Sequence, residues 1–243
     1  MGTTAAEIKF VRSLKQKKFR KESKLFVIEG VKPVTELLNS ALEVDRVFAT
    51  DMHAVPFDNI QSVSEKELGR MSSLKSPNKV LALAKIPDHK LSFDKSWVLV
   101  LDGIKDPGNL GTIIRTAKWF GVDDISCIND CVDAYDRKVV QSTMGALFQV
   151  NLVYLPEDDA LGTLKKNEFS LIGTSMDGDS IYNAKFVERT ALVIGSESHG
   201  MSDSIRVACN KLISIPNLEE EQSIESLNAA IATSIVLSEV TRP

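Results

Sequence analysis

The sequence predicts an α/β protein in two parts, a small α/β domain followed by a larger domain built on a mostly parallel sheet with helices on both faces. Three observations lead there. Short apolar runs alternate with helix-length segments along the chain. A charged, proline-containing stretch, Pro87–Ser96, lacks periodicity and reads as a linker between domains over 1–86 and 97–243. Beyond it the short strands are apolar throughout, as strands covered on both faces must be. With 243 residues, 43% of them hydrophobic, the chain can bury one large core or two modest ones.

In chain order, Thr4 and Glu7 make a capping box, and Ile8, Val11 and Leu14 supply the apolar stripe of a first helix. "LFVIEG" reads as a buried strand and "VKPVTELLNSAL" as a helix with proline in its first turn. "DRVFAT" is a second strand, "SEKELGRMSS" a helix capped by Ser64 and Glu67, and "KVLALAKI" a closing strand. In the second domain the strands are "WVLVLD", "DISCIN", "FQVNLVYL", "FSLIGTS", "ALVIGS" and "KLISIP". The last segment, "IESLNAAIATSIVLSEV", is small or apolar on nearly every side and reads as a deeply packed helix.

Ligands of open parallel sheets bind beyond the carboxyl ends of the strands, so the residues that follow each strand are the candidates. Those are Asn109 and Arg115; Met176-Asp177-Gly178; Ser196 to Gly200; and the acidic stretch "NLEEEQSIE" leading to Ser226-Leu227-Asn228.

Composition excludes several functions. No apolar run is long enough to span a bilayer, and the N-terminus has no secretory pattern, so a soluble cytoplasmic protein is expected. Cys127, Cys131 and Cys209 have no disulfide or zinc-site spacing and read as free thiols; His53, His89 and His199 are scattered, so no metal is expected. There is no GxxxxGK[ST] loop, no GxGxxG after a strand and no GxSxG elbow. The net charge is −4, but residues 1–24 carry +6 and the remainder −10. A basic block of this kind suits phosphate contact or a solvated helix face, and the charge pattern by itself leaves both open.

"DPGNLGTIIRTA", "LVIGSESHGMS" and "SIPNLEEEQSIESLNAAIATSIVLSEV" together resemble the three ordered motifs of the SpoU-type, or TrmH-like, RNA ribose 2′-O-methyltransferases of the SPOUT superfamily. "FVIEGVKPVTELL" is similar to that family's N-terminal substrate-binding domain. The resemblance implies a C-terminal trefoil knot, S-adenosyl-L-methionine as cofactor, and a homodimer with the site near the subunit interface. It also implies structured RNA as substrate, ribosomal in preference to transfer RNA because of the accessory domain.

Carried over by position, Gly195, Ile215, Leu227 and Thr174 would hold the cofactor, and Asn109, Arg115, Glu197, Ser226 and Asn228 would line the reacting end. Lys15, Lys17, Lys18 and Arg20, with Arg115, would contact RNA. Arginine is normally a permanent cation, which leaves two roles open for Arg115: a transiently neutral base, or a charged stabiliser of the developing alkoxide that also clamps a phosphate. Local readings stand beside these. Asn109 and Ser226 would suit helix caps, Asn228 a helix-packing amide, and Glu197 a cap or a partner orienting the arginine across the dimer interface.

Two departures matter. Asn217 and the acidic run Glu219, Glu220 and Glu221 replace a short glycine-containing loop, and Ser198 stands where glycine is common. The acidic run is expected to point away from the phosphate path or to move on binding. An RNA-binding or ribosome-assembly protein with a silent pocket is the reading from another class.

Overall fold

The computed structural model describes residues 3–218 and 226–242 and divides into two compact units. The first comprises Met1–Asp88 together with Asp133–Gln149; the second comprises His89–Val132 and Val150–Pro243.

In the first unit, helix α1 (Ala5–Ser13) opens with the expected reciprocal cap between Thr4 and Glu7 and buries Ile8 and Val11. The Thr4 backbone amide holds the Glu7 carboxyl below the usual carboxylate range. A second helix, α2 (Lys17–Ser23), follows; it is too polar for its apolar period to show in the sequence. Strand β1 (Leu25–Glu29), helix α3 (Val31–Leu38), β2 (Val44–Ala49), β3 (Ile60–Ser62), α4 (Glu65–Met71) and β4 (Val80–Lys85) complete the N-terminal part. The sheet order is β1-β4-β2-β3, antiparallel except for the β2/β3 pair. One face packs Val27, Phe48, Leu81 and Leu83 against Ile8, Val11 and Leu14 of the first helical segment and Leu68 and Met71 of α4.

The second unit holds a six-stranded parallel sheet. Its strands are β5 (Trp97–Asp102), β6 (Asp124–Ile128), β7 (Asn151–Tyr154), β8 (Ser170–Ser180), β9 (Thr190–Gly195) and β10 (Lys211–Ser214), in the order β10-β8-β9-β5-β6-β7. Helices α5 (Pro107–Trp119), α7 (Glu157–Lys166), α8 (Asp203–Ala208) and α9 (Ala229–Val240) belong to this unit. All three cysteines are free. No helix among the described residues is long and apolar enough to cross a membrane.

Two segments depart from expectation. "FQVNLVYL" is strand only from Asn151, because Phe148 sits in a 3-10 turn (Ala146–Gln149) and packs tilted against Phe26 of the first unit's core, ring centroids 6.4 Å apart. That turn and helix α6 (Arg137–Thr143) are held to the first unit by buried ion pairs, Arg137 to Glu29 at 3.2 Å and Arg20 to Asp133 at 2.8 Å. The second departure is that Met176-Asp177-Gly178 is not a loop: β8 continues to Ser180, with its pairing to β10 broken between Leu212 and Ile213. Gly178 permits this, since a Cβ there would lie 2.6 Å from the Ile213 backbone.

The C-terminal segment expected to thread a knot includes residues 219–225, which lie outside the described residues. The acidic run Glu219–Glu221 lies there too.

Candidate active site

Strands β5 and β9 pair in register, with Asp102 opposite Gly195, so the loops after both strands start at the same level. After β5 the chain turns through Gly103 (φ +69°), and Asp106, not Asn109, caps helix α5 by accepting from the Asn109 amide at 2.9 Å. Pro107 occupies the first helical position, where its missing N–H costs nothing. Asn109 therefore stands in the first turn with its side chain available for other work.

That side chain joins three segments. Asn228 is the cap of α9, its Oδ1 accepting from Ala230 N at 3.0 Å and Ile231 N at 3.3 Å, so the expected cap at Ser226 is corrected. With its oxygen facing two backbone donors, the Asn228 amide nitrogen must point the other way, and it donates to Asn109 Oδ1 at 2.9 Å. Asn109 in turn presents Nδ2 to Glu197, with which it forms a close hydrogen bond. Glu197 is thus fixed by Asn109 and caps no helix; Ser202 occupies the cap position of α8.

Beside this chain of bonds lies a cavity of about 560 Å³. Thr174, Gly195, Ile215 and Leu227 line it, as do Glu197 and Ser226. Thr174 is held by donation from its hydroxyl to Val193 O at 3.0 Å. Gly195 is required by close approach: a Cβ there would lie 2.2 Å from Gly200 C and 2.3 Å from Met201 N. Ser196 and Gly200 pair through mutual backbone bonds of 2.9 Å, which closes the turn carrying Glu197, Ser198 and His199. His199 lines the cavity and bonds the Ser198 hydroxyl through Nδ1 at 2.7 Å. Among the described residues no group of three His, Cys, Asp or Glu could hold a metal ion.

The far end of this turn rests on a network that the motif reading passed over. Asp102, only 3% exposed, accepts from Asn129 Nδ2 at 2.9 Å and from Ser202 N at 2.7 Å. Asn129 also donates to Glu157 at 2.6 Å, and the Ser204 hydroxyl followed by this amide holds the Glu157 carboxyl below its usual range. A carboxylate ending an otherwise apolar strand, "WVLVLD", was the available signal.

Arg115 lies elsewhere. It follows Asn109 by six residues, about 9 Å along α5, and is exposed in a surface groove of about 770 Å³ whose lining shares no residue with the cavity. Its neighbours there include Trp119 and Tyr182, which are 84% and 58% exposed. The structure of one chain therefore brings Asn109, Glu197, Asn228 and the cavity residues together but does not bring Arg115 to them.

In the first unit Lys15, Lys17 and Lys18 are exposed, as an RNA contact requires. Arg20 is corrected: it is 2% exposed, with Nε and Nη2 on Asp133 at 3.2 and 2.8 Å and Nη1 on Leu14 O at 2.8 Å. Its guanidinium is an internal strut, because a buried charge is tolerated only when its donors are met.

The model of the SpoU rRNA Methylase family matches residues 96–238, and that of the MRM3-like substrate binding domain matches residues 5–82. The 23S rRNA (guanosine(2553)-2′-O)-methyltransferase RlmP of Bacillus subtilis is 29% identical over 237 residues, 95% of this chain and 94% of the relative. A solved structure of a TrmH-family protein from Porphyromonas gingivalis is 34% identical, with TM-score 0.90 over 98% of this chain and 97% of that one. An AdoMet-bound rRNA methyltransferase from Sinorhizobium meliloti is 25% identical, with TM-score 0.88 over 98% of this chain and 96% of its own. With the family model matched over residues 96–238 and the substrate-binding model over residues 5–82, this chain belongs to the SpoU rRNA methylase family.

Proposed function

We propose that the protein is an S-adenosylmethionine-dependent methyltransferase that modifies a ribose 2′-hydroxyl of ribosomal RNA, acting in the cytoplasm. The observation that carries this is the convergence of Gly195, Ile215, Leu227 and Thr174 on one cavity, beside the Glu197–Asn109–Asn228 bonds. The residues fit the cofactor. The volume lies within the usual range for small-ligand sites, the walls combine apolar side chains with polar ones, and backbone groups of the turn after β9 can meet a purine edge. When bound, the cofactor supplies an electrophilic methyl group.

The chain's own residues have the remaining tasks. Glu197, oriented by Asn109, places negative charge at the cavity rim where a sulfonium would be favoured. Ser226, exposed at the rim, can donate to or accept from the ribose. Arg115 clamps a phosphate and assists loss of the hydroxyl proton, as a transient base or as a fixed cation.

Arg115 reaches the reaction by dimerisation. It shares its groove with exposed Trp119 and Tyr182, an apolar surface that suits burial against a second copy, and in the homodimer it serves the partner's cavity. Lys15, Lys17 and Lys18 bind the RNA backbone.

The test is calorimetric titration of the parent and Arg115→Ala with S-adenosylmethionine, followed by methyl transfer to ribosomal RNA. Binding by both with transfer only by the parent is the expected result. Absence of binding by the parent, alone and with RNA, would leave a silent-pocket RNA-binding protein.

A further inference from the structure

The described residues lining the cavity include one Lys or Arg, Arg206 of α8, and one Asp or Glu, Glu197. The guanidinium of Arg206 is aimed by β8: Nη1 donates to Ser175 Oγ at 2.8 Å, and Nη2 pairs closely with the Asp177 carboxylate, which also accepts from Ser175. These two bonds occupy two of the five donors of an arginine and leave its fork able to take a second carboxylate. Asp177 is 66% exposed, so water competes for it and its hold on the guanidinium is weak.

We propose that Arg206 is the carboxylate receptor of the pocket and binds the α-carboxylate at the methionyl end of the cofactor. The inference rests on the cofactor reading above and adds an orientation to it. S-adenosylmethionine carries one anionic group and two cationic ones, the ammonium and the sulfonium. Among the described residues a guanidinium on α8 and a carboxylate on the turn after β9 line the cavity and sort those charges, the α-carboxylate going to Arg206 and the sulfonium to Glu197.

The experiment compares S-adenosylmethionine with its decarboxylated analogue, which keeps the adenosine and the sulfonium and lacks only the carboxylate. Affinities are measured calorimetrically for the parent, Arg206→Gln, Arg206→Lys and Asp177→Asn, each first checked by thermal melt. The parent is expected to prefer the carboxylated ligand by roughly tenfold to a hundredfold, the usual range for a hydrogen bond between charged groups. Arg206→Gln should bind the two ligands equally and Arg206→Lys should keep part of the preference. Asp177→Asn, which removes the competing carboxylate and keeps the guanidinium, should retain it in full.

Equal weakening of both ligands in Arg206→Gln, or loss of the preference in Asp177→Asn, would make the Ser175–Asp177 clasp a structural brace and overturn the inference. Unchanged affinities in Arg206→Gln with weaker RNA retention would reassign Arg206 to a phosphate and overturn it as well. A parent that binds neither ligand would remove the cofactor reading itself, whereas a parent that binds both equally removes only the role of Arg206.

Discussion

Replacing Gly195 by alanine tests the cavity with the smallest possible change. The added Cβ would lie 2.2 Å from Gly200 C, 2.3 Å from Met201 N and 2.5 Å from Gly200 O, all well inside the 3.4 Å at which ordinary contact begins. All three atoms are backbone, and the turn they belong to is closed by the paired Ser196–Gly200 bonds at 2.9 Å. No side chain can rotate aside, so the turn must move by about an ångström and take Glu197 and His199 with it. Overpacking of this kind costs about 1–3 kcal/mol, a melting shift of several degrees in a unit of this size. A wall displaced that far should weaken S-adenosylmethionine binding and slow methyl transfer by about a hundredfold. Calorimetric titration and a thermal melt read the two effects separately. Gly162→Ala, in α7 where an added Cβ meets nothing within 4 Å, is the control and should bind normally with unchanged or slightly raised stability. Parental cofactor affinity in Gly195→Ala would show that the turn after β9 is not the wall of the cofactor site.

Three other outcomes are expected. Asn228→Ala removes the cap of α9, a loss of about 1 kcal/mol, whereas Asn228→Asp keeps the cap but cannot donate to Asn109; the aspartate variant should melt near the parent yet transfer methyl groups slowly, and identical melting of the two variants would refute the capping role. The pair Lys17→Ala and Lys18→Ala should lower RNA affinity and shrink its salt dependence, by about 0.9 in logarithmic slope for each lost duplex phosphate contact. Arg20→Ala should instead destabilise the first unit by on the order of 3 kcal/mol, and an equal change of salt slope in the two sets would contradict the burial of Arg20. The Glu157 carboxyl is held below its ordinary value of 4.5, so its contribution to stability is present above that pH and is lost as the pH falls through the lower folded value. Urea curves of the parent and Glu157→Gln should therefore be well separated at neutral pH and converge in acid; a separation independent of pH would discount the hydrogen bonds from Ser204 and Asn129.

Much of this was legible in the sequence because its signals are local. Thr4 with Glu7 and Ser64 with Glu67 form reciprocal caps three residues apart, and the apolar runs from "LFVIE" to "KLIS" become strands because a buried strand is marked by its own composition. The motifs likewise pointed to the ends of β9 and β10, whose following residues line the cavity, since position after a strand is a one-dimensional property. Tertiary structure decided what depends on distant partners. Arg20 and Lys17 look alike in a basic run, and only Asp133, 113 residues away, makes Arg20 internal. Asn109 looks like a cap until Asp106 takes that place and Glu197 and Asn228, 88 and 119 residues on, claim its amide. Arg206 acquires a role only because the break in pairing between β8 and β10 brings Ser175 and Asp177 beside α8. Capping and periodicity act over one or two helical turns, whereas a buried charge or an amide finds its partner only after the strand order β10-β8-β9-β5-β6-β7 has set which loops become neighbours.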